Sequence, residues 1–153
     1  FRYRDGKQDG PLGEKTVPTS PATGSMTTAG VACVAICREA LWRSRRFGGK
    51  LRKLTSRSMR DGMAWLQANF SVTTNPGHPR GAHHLYYLYG LERMGMLADR
   101  RFLGSHDWYK QGADLLLETQ SAAGAWGNHV PTTFGILFLQ RATRGPAVQT
   151  SGG

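Results

Sequence analysis

Hydrophobic residues recur along the chain in two distinct patterns. Residues 59–70 are amphipathic: Met59, Met63, Leu66 and Phe70 follow one another at spacings of four, three and four, which places them on one face of a helix. Ser58 with Asp61 resembles a capping box at its start. Residues 106–119 behave alike, with Tyr109, Ala113 and Leu116 forming the stripe and Lys110, Asp114 and Glu118 free to face water. Gly104 and Ser105 mark where this helix is approached.

The second pattern is apolar nearly all the way round. It occupies Val31 to Ile36, Leu85 to Leu91 apart from Gly90, and Phe134 to Leu139 apart from Gly135. A helix of this kind must be covered on several sides. Short apolar runs are also compatible with buried strands, but regular alternation with amphipathic segments favours helices: each all-apolar helix becomes an inner one clad by an outer one. The predicted order is inner, outer, inner, outer, inner, an all-α, two-layer arrangement. It spans residues 26–143, between an irregular segment at 1–25 and a flexible tail at 144–153.

The chain also resembles itself. Thr27-Thr28-Ala29-Gly30 opens the first inner segment and Thr132-Thr133-Phe134-Gly135 the third, 105 residues later. Gly62-Met63-Ala64-Trp65-Leu66 and Gly112-Ala113-Asp114-Leu115-Leu116 correspond at an offset of 50. One helix pair per repeat fits that interval, at the long end of helical-repeat periods.

Two motifs carry a resemblance to a known family. Leu116-x-x-x-Gln120-x-x-x-Gly124-x-Trp126-Gly127 resembles the Gln-to-Trp repeat at the outer-helix ends of squalene and oxidosqualene cyclases. His84-Leu85-Tyr86-Tyr87-Leu88-Tyr89-Gly90-Leu91-Glu92-Arg93 resembles inner helices of bacterial prenyltransferase and squalene oxidase repeat proteins. The likeness extends over roughly residues 26–143 and implies an α/α toroid of the terpenoid cyclase and protein prenyltransferase superfamily. It also implies that Gln120 and Trp126 tie the end of an outer helix to the start of the next inner one. Gly124 would permit the turn, Gln120 would cap backbone groups, and Trp126 would pack while donating its indole N–H. After Gln67 no Gly-x-Trp follows closely, so the earlier outer helix departs from the motif.

The chemistry of that family is not carried over with the architecture. Its cyclases protonate an alkene or epoxide from an Asp-x-Asp-Asp cluster, whereas Asp5, Asp9, Asp61, Asp99, Asp107 and Asp114 stand singly here. Protein prenyltransferases hold zinc with an Asp, a nearby Cys and a His, and the local Asp-x-Cys signal is absent. No catalytic residue, metal ligand or cofactor is therefore assigned. Adjacent His83 and His84 diverge by about 100° on a helix, so one packing and one solvent-facing histidine is the plain account. Tyr86 and Tyr87 either pack between layers or line a cavity, where aromatic faces attract carbocations in the resembling cyclases. Tyr89 is the weaker candidate, being farther from the helix start. His83, His84, Tyr86 and Tyr87 are thus the candidate substrate-binding residues, for a hydrophobic isoprenoid-like ligand held in a concave face. A noncatalytic protein- or lipid-binding scaffold is the alternative. Glu92, the lone carboxylate in an inner segment, is expected to be ion-paired or exposed near its helix end.

Charge changes the picture little at this level. Lys and Arg number 20 against 10 acidic residues, but Arg43, Arg45, Arg46, Lys50, Arg52, Lys53, Arg57 and Arg60 share one acid-free stretch broken by Gly48 and Gly49. A solvated connecting loop accounts for it, and nucleic acid is not the favoured partner. Cys33 and Cys37, one helical turn apart, are expected as small buried core residues rather than a disulfide, whose geometry across one turn is poor. No apolar run approaches the ~20 residues of a membrane-spanning helix, so a soluble chain of at most one domain is expected. Phe1 in place of Met suggests that the chain joins a fold midway and leaves any upstream targeting signal unread. Five helices would be part of a closed toroid, and their uncovered inner faces predict association with further repeats or with a second copy.

Overall fold

The computed structural model describes residues 21–79 and 82–141. Among them are five helices and one short hairpin: α1 (Gly24–Leu41), α2 (Gly49–Ala68), α3 (His84–Leu97), β1 (Phe102–Leu103), β2 (His106–Asp107), α4 (Trp108–Thr119) and α5 (His129–Gln140). The fold class is all-α. Most of the expected irregular segment at 1–25 lies outside the described residues, as does the whole of 144–153; Gly24 and Ser25 are already helical.

Helix α3 lies at the centre. It packs against α1 on one flank and α5 on the other, while α2 packs on α1 and α4 contacts α3 and α5. Tyr87, Leu88, Leu91 and Met94 of α3 are fully enclosed and meet Val31, Leu66, Trp108, Leu116 and Phe138 in one continuous core. The amphipathic stripe of α2 contributes Leu66 to that core, with Met59 and Met63, and Phe70 just past the helix end, packed against it at partial burial.

Several local expectations are corrected. Ser58 does not cap a helix, because α2 begins nine residues earlier at Gly49, with Gly48 as its N-cap and no side-chain capping bond. The basic stretch is consequently mostly helix, from Gly49 onward, and not a connecting loop. Residues 106 and 107 form β2, and Gly104 (φ 61°) is the first residue of a two-residue hairpin turn, the position at which type II′ turns take glycine. Helix α4 then starts at Trp108, its first turn capped by Asp107, which accepts from the Lys110 amide at 3.0 Å. Cys33 and Cys37 are exposed on α1 instead of buried, because α1 turns Val31, Ala32 and Ala35 toward the core and leaves the opposite face uncovered. Of the two positions expected for Glu92 the exposed one does not occur: it is fully buried, since it shares the enclosed face of α3 with Leu88 and Leu91.

Buried polar groups seal the ends of these helices. The end of α3 is a Schellman motif: Arg100 donates its amide to Gly95 O at 2.7 Å and Asp99, at φ 51°, donates to Met96 O at 3.3 Å. This turn presents the Arg100 carbonyl to Trp108, whose indole N–H donates to it at 2.7 Å. The Trp108 ring fits because residue 95 is glycine; a Cβ there would sit 2.3 Å from Cζ2. At the opposite end, Asn75 joins the loop before α3 to the start of α1. Its Oδ1 accepts from the Ser25 amide at 3.0 Å, and its Nδ2 donates to Ser25 Oγ and to Ala82 O, both at 3.1 Å.

Asn75 is 1% exposed and uses its whole side-chain amide in these bonds. Asn75→Ala leaves the buried Ser25 amide without an acceptor and is expected to lower unfolding free energy by about 2–3 kcal/mol in urea titration.

Candidate functional site

The residues nominated from sequence gather at one end of α3, and what positions their surroundings is the turn between α4 and α5. Helix α4 ends at Thr119, leaving terminal carbonyls without intrahelical donors. The chain reverses within a few residues: Gly124 takes φ 76°, its amide donates to Ser121 O at 2.8 Å, and the Ser121 amide donates to Ala125 O at 3.0 Å. Gln120 donates to Gly124 O at 3.1 Å, bracing the turn from outside.

The reversal delivers Trp126 to a buried position between the two helices. Its indole N–H donates to Leu116 O in the last turns of α4 at 2.8 Å, and its amide donates to Thr132 Oγ1 in the first turn of α5 at 3.0 Å. One residue thus bonds to both helices. Its ring lies against Gly135, where a Cβ would approach Cε3 to 2.9 Å. Asn128 completes the join by capping α5, accepting from the Val130 amide at 3.0 Å.

With α5 set in this way, Val130, Pro131 and Phe134 of its first turns stand opposite His83, His84, Leu85 and Tyr86 at the start of α3. Together with Trp126 these residues line a cleft of about 440 Å³. Phe134 is its aromatic centre: Tyr86 meets it edge-on at 5.2 Å between ring centroids, and Tyr89 approaches at 5.5 Å. Tyr86 is 40% exposed and therefore within reach of a ligand.

Three of the four nominated residues come together, and one does not. His83, at the N-cap of α3 with φ 60°, is exposed and meets His78 edge-on at 5.2 Å. His84 is half-buried and donates Nε2–H to Val72 O at 2.6 Å. A carbonyl can only accept, so this bond places a proton on Nε2 and holds the ring. Tyr87 is not on the cleft. A step of 100° along the helix turns it away from Tyr86 and into the core, where it is fully enclosed. Its hydroxyl has no hydrogen-bond partner among the described residues, the Ser71 backbone near it falling short of bonding geometry. Burial pushes its pKa well above the ordinary tyrosine value, a shift the Ser71 backbone only partly opposes.

Phe134, Val130, Pro131 and Trp126 line the cleft without having been nominated as site residues, while Tyr89, the weaker candidate, is not among its lining residues and only packs on Phe134. The available signal was spacing: Tyr86 and Tyr89 are three apart and share a face, whereas adjacent Tyr86 and Tyr87 do not. Comparison with protein-family models, curated proteins and solved structures gives no match.

The cleft is largely apolar and aromatic, with two imidazoles and the Tyr86 hydroxyl as polar groups and no carboxylate among the described residues that line it. It can enclose a hydrocarbon group and offer π-faces to a cation. Among the described residues no group of three His, Cys, Asp or Glu side chains is placed to hold a metal ion.

Two outcomes test this geometry. Trp126→Phe keeps one six-membered aromatic ring and removes the rest of the indole with its bond to Leu116 O, and is expected to cost about 2–3 kcal/mol by chemical denaturation. Tyr87→Phe removes a hydroxyl with no bonding partner and is expected to hold or raise stability at pH 7. Because the folded state keeps the Tyr87 proton while an unfolded tyrosine ionises near pH 10, wild-type stability declines above about pH 10. Tyr87→Phe is expected to flatten that alkaline decline in pH-dependent unfolding.

Proposed function

We propose that this chain is a hydrophobic-ligand-binding helical repeat domain of the terpenoid cyclase and prenyltransferase-like type. The observation that carries the proposal is the aromatic cleft between α3 and α5, lined by Tyr86, Phe134 and Trp126, with Tyr89 packed on Phe134. In this reading α1, α3 and α5 are the inner layer of an α/α-toroid arc, with α2 and α4 outside. Apolar side chains left uncovered on the inner helices, among them Met26, Ile36, Val130 and Ile136, then belong to its concave wall. The turn from Gln120 to Trp126 supports the same reading, because its hydrogen bonds tie an outer helix end to an inner helix start. The ligand class is isoprenoid: flexible, unsaturated and apolar, suited to edge and face contact with three aromatic rings.

A second reading is a noncatalytic scaffold that binds a lipid or an apolar segment of a partner in the same cleft. It is favoured by one observation, the lack of any carboxylate in the lining to act as a strong proton donor.

Calorimetric titration with farnesol is expected to show saturable binding. Tyr86→Ala and Phe134→Ala should each weaken it about tenfold, corresponding to ~1.4 kcal/mol, while Tyr87→Phe leaves it unchanged. Equal affinity in all three variants would remove the cleft as the site. Incubation with squalene or prenyl diphosphates, followed by product mass spectrometry, separates the two readings. A new product supports an enzyme, and reversible binding alone supports the scaffold.

A further inference from the structure

The corner between α1 and α2 lies away from the cleft and carries most of the charge excess. Residues 38–60 hold nine Lys or Arg and a single acid, Glu39. Two of the cations serve the fold. Arg38 donates to Arg52 O, Thr55 Oγ1 and Ser56 Oγ, and so joins α1 to α2. Arg52 donates to Phe47 O at 2.9 Å and Trp42 O at 3.0 Å, and its guanidinium lies 4.4 Å from the Trp42 ring centroid. These bonds hold the corner in one shape, with Phe47 buried beneath it and Trp42 left 52% exposed.

The remaining cations face outward in a pattern. Lys50, Lys53 and Arg57 are spaced three and four apart, which makes one stripe along α2 opposite its buried Leu66. Leu54 lies at the edge of that stripe, about 40° round the helix from Lys50, and is 57% exposed, and the exposed Leu51 lies about 60° further round. Leu41 and Trp42 at the end of α1 are also exposed. Arg57 lies 3.6 Å from Asp61 in a solvent-exposed pair, while Arg45 and Arg46 extend the basic surface along the connecting turn.

A solvated cationic helix has no use for leucines on its water-facing side. Nucleic acid would be met by the cations and the tryptophan, but the leucines would gain nothing from phosphate or sugar. An anionic bilayer uses both classes: lysine and arginine are attracted to its surface potential, and leucine and tryptophan enter the boundary between headgroups and acyl chains. We propose that the α1–α2 corner, through Leu41, Trp42, Leu51 and Leu54 framed by Lys50 and Lys53, is a docking surface for an anionic lipid bilayer. The attachment is peripheral, as no helix among the described residues is long and apolar enough to cross a membrane.

The test is co-sedimentation of the full chain with phosphatidylcholine vesicles, with or without one third phosphatidylserine, and with single-stranded RNA as a competing polyanion. Binding to the anionic vesicles alone is expected. Lys50→Gln/Lys53→Gln should weaken it about twenty-five-fold, at about fivefold per cation near the surface. Leu51→Ser/Leu54→Ser should also release the protein while leaving every charge, the circular dichroism and the melting temperature unchanged, since neither leucine is in the core. The proposal is overturned by no vesicle binding, by equal binding to neutral vesicles, by full retention of the leucine variant, or by RNA binding that displaces the chain from vesicles and persists in that variant.

Discussion

Enclosing α3 on both flanks is the constraint from which the remaining structure follows. Tyr87, Leu88, Leu91, Glu92 and Met94 are all fully buried on this one helix, so α1, α5 and α4 must be brought against it, with α2 packed on α1, from chain segments that are far apart in sequence. The favourable term is hydrophobic and carries no direction. Direction comes from the places where backbone polar groups would otherwise be stranded near that core. Asn75 fastens the approach to α3 onto the start of α1, and the Schellman turn closes its far end. Each device satisfies a backbone group and fixes the path of the chain at once.

The two buried tryptophans make the same point in a more specific way. A helix that ends against a core needs donors for its last carbonyls, and an indole supplies one donor on a large apolar body. Trp108 bonds the turn after α3 to the helix that covers it, and Trp126 bonds the end of α4 to the helix that follows. Each ring needs space, and Gly95 and Gly135 provide it by lacking a Cβ. Tryptophan and glycine are therefore paired across helices, and the aromatic cleft exists because Trp126 sets where α5 begins.

The two surfaces assigned a role differ in chemistry and position. The cleft is aromatic and nearly uncharged, built where α5 starts beside α3, and suits the isoprenoid class proposed for it. The α1–α2 corner is cationic with leucine and tryptophan among the charges, held in shape by Arg38 and Arg52. A chain that docks on a bilayer at one surface and takes an apolar ligand at another would draw that ligand from the phase in which it dissolves.

Periodicity was enough to assign helix to the half-apolar α2 and α4, whereas for the apolar runs of α1, α3 and α5 it left strand open until regular alternation with the amphipathic segments decided. Of those three, α1 and α5 still leave Ile36, Val130 and Ile136 exposed. The turn from Gln120 to Trp126 was legible through its resemblance to the Gln-to-Trp repeat, and its hydrogen-bond partners all lie within about ten residues in the chain. Helix ends were less legible: Ser58 mimics a cap inside α2, and Gly104 and Ser105 belong to a hairpin, because competing local signals are arbitrated by packing. Which face of an all-apolar helix is open cannot be read from a pattern that is apolar everywhere. Only the placement of neighbours decided that Cys33 and Cys37 meet solvent, that Glu92 does not, and that Tyr86 joins Tyr89 and Phe134 while Tyr87 turns into the core. The physical reason is that burial belongs to the space between helices, and that space is defined by residues distant in the chain.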